Sequence, residues 1–187
     1  MKKIIFFLVA GIVILGCSIP SFFSPTPDTV IVDCSNIAIT DADVNSTLEY
    51  GTSLLTRGDW KRSYTVNTDQ VYATYISDEL NAVVFVDTLA LCNARTELRA
   101  YANEDNLAVI LANYEKYTPV DSCEKDGVLL FQFTAFNNET NYNVNIWFSP
   151  LENPHRALTV VIVFPQADFN SMEEYSAAFF PALTACK

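Results

Sequence analysis

Residues 128–164 read VLLFQFTAFNNETNYNVNIWFSPLENPHRALTVVIVF, and this stretch decides the fold. It contains three runs rich in β-branched and aromatic residues, 128–136, 142–148 and 157–164, broken by Asn137-Asn138 and by Asn153-Pro154. Apolar runs of this length between turn-forming residues are strands. Breaks this short return the chain only antiparallel, which predicts a three-stranded meander. The last run, Leu158-Thr159-Val160-Val161-Ile162-Val163-Phe164, is apolar on both alternating faces, so it belongs at the centre of a sheet covered on both sides.

Ser171-Met172-Glu173-Glu174 follows as a helix start, leading to Tyr175, Phe179, Phe180 and Leu183. Upstream, Val30-Ile31-Val32 forms a short strand or a packed extended arm. Thr40-Asp41-Ala42-Asp43 sets a hydroxyl cap with an acid three residues on, and Val44, Leu48, Leu54 and Leu55 continue a helical stripe towards a stop at Gly58. From Arg62 the period becomes two, with strands at 71–76 and 82–86 around the turn Ser77-Asp78-Glu79. Thr96–Ala102 alternates Leu98, Ala100 and Ala102 against Glu97, Arg99 and Tyr101, which favours a strand. Asn103 then caps a helix carrying Leu107, Ile110, Leu111 and Tyr114, with Pro119 beyond it. The expected class is α+β: an antiparallel sheet with a C-terminal three-stranded meander and helices packed on it.

This order resembles the PsbP-like family, which includes extrinsic photosystem II proteins and bacterial envelope lipoproteins. The resemblance covers residues 128–184, chiefly the strand-loop-helix at 157–184, where Phe164-Pro165 leads into Met172-Glu173-Glu174-Tyr175. The Gly-Phe strand and Tyr-Pro-x-x-Trp element common near that family's start are absent, and Gly58-Asp59-Trp60 is a weak counterpart. The resemblance implies an α+β fold and an envelope setting, and assigns no site.

The N-terminus opens Met1-Lys2-Lys3, then runs apolar from Ile4 to Leu15. That is the layout of a secretory signal. About twelve residues rise only ~18 Å as a helix, short of the ~30 Å bilayer core, which disfavours an uncleaved anchor through Phe23. Ile14-Leu15-Gly16-Cys17 resembles the lipobox of bacterial lipoproteins. The resemblance implies removal of residues 1–16, lipid on Cys17, and membrane attachment through that lipid. Ser18, rather than Asp, follows the cysteine; in a two-membrane organism this implies the outer membrane. Residues 17–28, with Pro20, Pro25 and Pro27, form a short extended tether, and residues 29–187 one domain.

Loss of Lys2 and Lys3 takes the net charge from −11 to −13. An acidic body repels phosphate backbones, which excludes nucleic acid as a partner. Beyond Cys17, an even set remains: Cys34, Cys92, Cys123 and Cys186. In an exported chain these point to two disulfides, in any of three connectivities. No CxxC spacing exists and His155 is the lone histidine, so neither a zinc site nor any cofactor is indicated.

Several residues invite sharper readings. Asp41, Asp43, Asn45, Thr47 and Glu49 space oxygens like a calcium loop, but Ser46 and Thr52 stand where that loop needs Gly and Glu, so a helix start is the better reading. His155 follows Pro154 in a turn, and a hydrolase built on it would need an acid and a nucleophile from distant segments. Asn141, Asn143, Asn145 and Trp147 form one face of a strand, amides ending in an indole, suited to a glycan or peptide if that face is uncovered. Tyr64, Tyr72, Tyr101, Tyr114 and Tyr117 offer material for a contact surface. The expected function is a non-catalytic, membrane-anchored binding module for an envelope protein or small ligand.

Overall fold

In the computed structural model, residues 33–55 and 57–179 are described. Met1–Cys17, the Pro-rich tether, Val30–Val32, Phe180, Leu183 and Cys186 lie outside them. The elements run α1 (Asp41–Leu54), β1 (Trp60–Val66), β2 (Gln70–Ser77), β3 (Ala82–Ala90), α2 (Ala94–Tyr101), α3 (Glu104–Ile110), β4 (Lys116–Lys125), β5 (Val128–Asn137), β6 (Thr140–Pro150), β7 (Arg156–Pro165) and α4 (Phe169–Phe179).

The strands form one antiparallel seven-stranded sheet in the order β1-β2-β3-β7-β6-β5-β4. Two runs of strands thus enter from opposite edges and meet where β7 pairs with β3. The fold is α+β, as the strand runs and helix signals predict. The three strands read from residues 128–164 do not stand apart as their own unit, because β4 extends them on one side and β3 closes on the other. Every residue of β7 is buried, which its two-faced apolarity requires.

One face of the sheet carries α1 and α4. Val84, Val86, Leu130, Trp147, Val160, Ile162 and Phe164 pack there with Met172 and Tyr175 of α4. Phe164 stacks on Tyr175 with ring centres 5.5 Å apart, and Trp60 meets both edge-on. Gly51 lets α1 sit close, since a Cβ at that position would run into the Tyr75 ring. The opposite face carries α2 and α3, whose Ala94, Leu98 and Leu107 join Phe133, Val144, Ile146, Phe148 and Val161.

Beside β1, whose residues 60–66 are not predicted as a strand of their own, two segments depart from expectation. Residues 96–101 are helical, not extended, with Ala102 as the helix's C-cap. Glu97 folds back to accept from the Cys92 and Asn93 backbone amides, and Ala94 and Leu98 are buried at helical spacing. The period-two alternation of Leu98, Ala100 and Ala102 coincides with a helix whose buried stripe needs only every fourth residue. The second is β4, which gives no strand signal: nearly all of it is exposed, Pro119 interrupts it, and a bulge falls between Pro119 and Asp121. Those features suit an edge strand that must not pair further.

The N-terminal arm is fastened from below by Arg156, the first residue of β7 and only 5% exposed. Its guanidinium donates to both Asp43 carboxylate oxygens at 2.9 Å and to the carbonyls of Ile37 and Ala38 at 2.8 Å. Asp43 also completes a capping box with Thr40 at the start of α1. Asp41–Glu49 are therefore helix, and Asp43 is engaged with an arginine rather than a cation site. Cys34 is bonded to Cys92, with Cα atoms 5.1 Å apart, which ties the arm to the β3–α2 connection. Cys123 is also disulfide-bonded, to a residue outside the described ones.

Burial raises the Asp43 carboxyl, but hydrogen bonds from Arg156 and Thr40 and the charge of Arg156 outweigh it and hold it at about 2. Its folded pKa thus lies below the usual 3.8, so the pair stabilises fully above about pH 4. That contribution drains away as pH falls from 4 towards 2. Asp43→Asn is expected to remove this acid limb from pH-dependent urea unfolding. Arg156→Met, which leaves the half-buried Asp43 carboxylate without its guanidinium, should cost about 1–3 kcal/mol at pH 7.

Candidate functional site

The helices do not cover the sheet evenly. On the α2/α3 face they lie over β5, β6 and β7, and the β1–β3 end of that face is left partly open: Tyr72 and Ile76 are 37% and 42% exposed. Where α3 overhangs this open end there is a cavity of about 470 Å³. Its size falls within the usual range for small-molecule sites.

The floor is one cross-strand row. Thr65 of β1 faces Tyr72 of β2, Tyr72 faces Asp87 of β3, and Asp87 faces Thr159 of β7. Phe85 and Val161 form the next row, with Tyr72 stacked on Phe85 at 5.4 Å. Tyr101 of α2 and Asn106, Val109 and Ile110 of α3 make the roof, and Asn67, Gln70 and Asn113 stand at the rim. Asn106 donates to the Tyr101 carbonyl at 2.6 Å, which braces the two roof helices against each other.

Asp87 is the anomaly of this cavity. It is 6% exposed, on the face of β3 that also carries Val83, Phe85 and Leu89. Gln70 donates to Oδ2 at 2.6 Å, and Oδ1 has no hydrogen-bond partner. Thr159, 4% exposed directly across the ladder, has an unpartnered Oγ1 as well. Buried polar atoms are normally satisfied, so two orphans lining one cavity single it out as the candidate site. Burial, opposed by the Gln70 hydrogen bond and reinforced by the nearby Asp69 charge, pushes the Asp87 carboxyl up to about 7. Burial likewise raises the Tyr72 hydroxyl to about 12, with Thr74 opposing and Asp87 adding to the shift.

Among the described residues the lining contains no Lys, Arg, His, Ser or Cys. It offers hydrogen-bond acceptors, amides, hydroxyls and aromatic faces, with the Thr159 side chain directly across the ladder from Asp87. No group of three or more His, Cys, Asp or Glu among the described residues is arranged to hold a metal. A second groove of about 570 Å³ lies on the other side of α3, between Leu107, Pro119, Val120, Phe131 and Phe133. It is apolar, opens at the β4 edge and contains no orphaned polar atom, so the Asp87 cavity is the stronger candidate.

The residues singled out from sequence fall elsewhere. The buried end of the Asn141–Trp147 row, Asn145 and Trp147, lies on the face that α4 covers. Trp147 is fully buried in the core, and Asn145 lies between Gln132, which donates to it, and Ser176 of α4, to which it donates. Only Asn141 is exposed and Asn143 is half-buried, so the row offers no stacking plane to a glycan or peptide. His155 is half-buried and its Nδ1–H donates to the Cys92 carbonyl at 2.8 Å, fastening the disulfide loop. The Cys92 thiol is consumed in the disulfide, so it offers His155 no nucleophile. Tyr64 and Tyr72 project from opposite faces of the sheet and Tyr117 from the β4 edge, so they form no single surface.

Asp87 was missed because the strand reading stopped at Val86. The available signal was an acid in line with Val83 and Phe85, where strands disfavour Asp. No protein-family model matches the chain, and no curated protein matches it significantly.

The Asp87 pKa, raised from 3.8 to about 7, has a stability consequence of the opposite sign to that of Asp43. Between pH 4 and 7 the unfolded chain has lost this proton and the folded chain retains it, so stability falls as pH rises, then levels off above 7. Asp87→Asn should flatten that limb. At pH 8 it should raise stability by on the order of a few kcal/mol in urea unfolding, while leaving stability near pH 4 little changed.

Proposed function

We propose that this chain is an exported lipoprotein: residues 1–16 are removed, Cys17 carries lipid, residues 17–28 form the tether, and the α+β domain binds a small molecule in the Asp87 cavity without transforming it. The observation that carries the binding reading is the pair of buried, unpartnered oxygens, Asp87 Oδ1 and Thr159 Oγ1, in one cavity. The non-catalytic reading is supported by a lining that contains no Ser, Cys, Lys or His among the described residues, and by the engagement of His155 with a backbone carbonyl.

Export is supported by the Lys2-Lys3 and apolar Ile4–Leu15 layout and by the Cys34–Cys92 disulfide, because such bonds persist in oxidising compartments. Cys186 is then the partner of Cys123, Cys17 being spent on lipid. No helix among the described residues is long and apolar enough to cross a membrane, and attachment in this reading comes from the lipid. The element order of α1, three strands, two helices, four strands and α4 supports the PsbP-like resemblance, with β5–β7 as its C-terminal meander. Fold alone would not assign the ligand. With Ser18 after the cysteine, the outer membrane is the proposed site in a two-membrane organism.

Intact mass of the membrane-extracted protein from a bacterial host tests the address. The expected species lacks residues 1–16, carries added lipid, and gains two hydrogens for each of two disulfides on reduction. Cys17→Ser should leave the chain unlipidated. An uncleaved mass without lipid from the wild type would overturn the anchoring, and no gain on reduction would overturn the pairing.

A further inference from the structure

We infer that the Asp87 cavity takes a primary or secondary ammonium attached to a flat or apolar body, the nitrogen donating to Asp87 Oδ1 and Thr159 Oγ1 while the body lies against Tyr72 and Phe85. This rests on the binding reading above and specifies the ligand class.

Four features select it. First, both orphaned atoms accept hydrogen bonds, and they belong to residues directly opposed on the β3–β7 ladder. Opposed side chains start about 5 Å apart, and an N–H donor sits about 2.9 Å from each acceptor, so one nitrogen with two N–H groups spans them. A quaternary ammonium lacks those donors.

Second, the charge around the cavity is negative. Asp87 lies within it and Asp69 close enough to raise the Asp87 pKa, while no Lys, Arg or His is in the lining. The whole chain carries −11, a field that attracts cations and repels carboxylates.

Third, the orphaned oxygens lie in the row beside a stacked aromatic pair. Tyr72 is partly exposed and Phe85 lies beneath it, a surface that accepts a flat or aliphatic body and attracts a cation over its faces.

Fourth, a neutral hydroxyl ligand would fill the acceptors but leave the buried carboxylate without a countercharge. An ammonium brings that countercharge with it. The groups facing Asp87 from packed elements are Gln70 and Tyr72 of β2, Tyr101 of α2 and, from the β1–β2 turn, Asp69. None of them supplies a positive charge.

The same chemistry makes binding pH-linked. With Asp87 protonated below about pH 7, an entering ammonium displaces its proton, so affinity rises as the carboxyl ionises. From pH 6 to pH 8 the ionised fraction rises about tenfold, and the dissociation constant should fall by about that factor.

The test is calorimetric titration of the full-length, detergent-solubilised protein with phenethylamine, its alcohol 2-phenylethanol, its N,N,N-trimethyl derivative and 3-phenylpropionate. The amine is expected to bind at least tenfold more tightly than the other three at pH 8 and to weaken about tenfold at pH 6. Asp87→Asn, expected to fold stably, should abolish the amine's preference and its pH dependence, and Thr159→Val should weaken the amine severalfold. Equal binding of amine and alcohol, with both lost in Tyr72→Ala, would overturn the ammonium assignment and leave the cavity as a binding site. Amine binding unchanged in Asp87→Asn would overturn the assignment as well. No binding by any of the four at millimolar concentration would overturn both the ligand class and the cavity.

Discussion

The pairing of buried Arg156 with half-buried Asp43 is the constraint on which the rest of this structure depends. Arg156 opens β7, the central strand, and its fixed planar fork matches a carboxylate bidentately while its remaining N–H groups reach the carbonyls of Ile37 and Ala38. One side chain therefore fixes the N-terminal arm, the start of α1 and the centre of the sheet relative to one another. The Cys34–Cys92 bond and the His155–Cys92 hydrogen bond act on the same corner. Burying an ion pair contributes little net stability over an apolar pair of the same shape. Its value here is geometric, since Lys at 156 would lose the fork and an apolar residue would release the arm.

The cavity inherits that fastening. With the arm pinned, Ile39 donates to the Thr68 carbonyl and Ala90 to the Asp69 carbonyl. These bonds draw the β1–β2 turn against the arm and the end of β3, which sets Asn67 and Gln70 at the cavity rim. Gln70 in turn holds Asp87 Oδ2, so the orientation of the orphaned Oδ1 traces back through the turn to the arm. The cavity exists because seven strands are wider than the two short helices α2 and α3, which cover β5–β7 and leave the β1–β3 end partly open. On the other face the longer α1 and α4 cover Trp147 and Asn145.

The sequence made the framework legible where a single physical signal dominated. The apolarity of β7 on both faces required a central strand, and the Thr40–Asp43 box marked the start of α1 to the residue, although the helix ends at Leu54, short of the expected stop at Gly58. It failed where two signals coincided. Leu98, Ala100 and Ala102 satisfy a period of two, but Asn93 and Glu97 close a helical first turn that the alternation does not register. β4 was invisible because an exposed edge strand has neither a buried face nor freedom from Pro119. The Asn141–Trp147 row was legible as a face, but which face α4 would cover depends on the sheet order, and no local pattern encodes that. Asp87 carried a signal, an acid among Val83, Phe85 and Leu89, though its meaning required knowing that Thr159 lies opposite.

That residue also separates stability from use. An aspartate at this depth makes the fold weaker at neutral pH than an amide or aliphatic residue would, since each fold of the chain either holds a proton there or buries a charge. Thr159 adds a second unsatisfied group across the ladder, where Val, the type that flanks it at Val160 and Val161, would pack without penalty. The Asp43–Arg156 pair shows that this chain satisfies a partly buried acid fully when the acid serves the fold. Two neighbouring departures from that practice, in a cavity where the helices leave the sheet partly open, are the feature on which the binding reading rests.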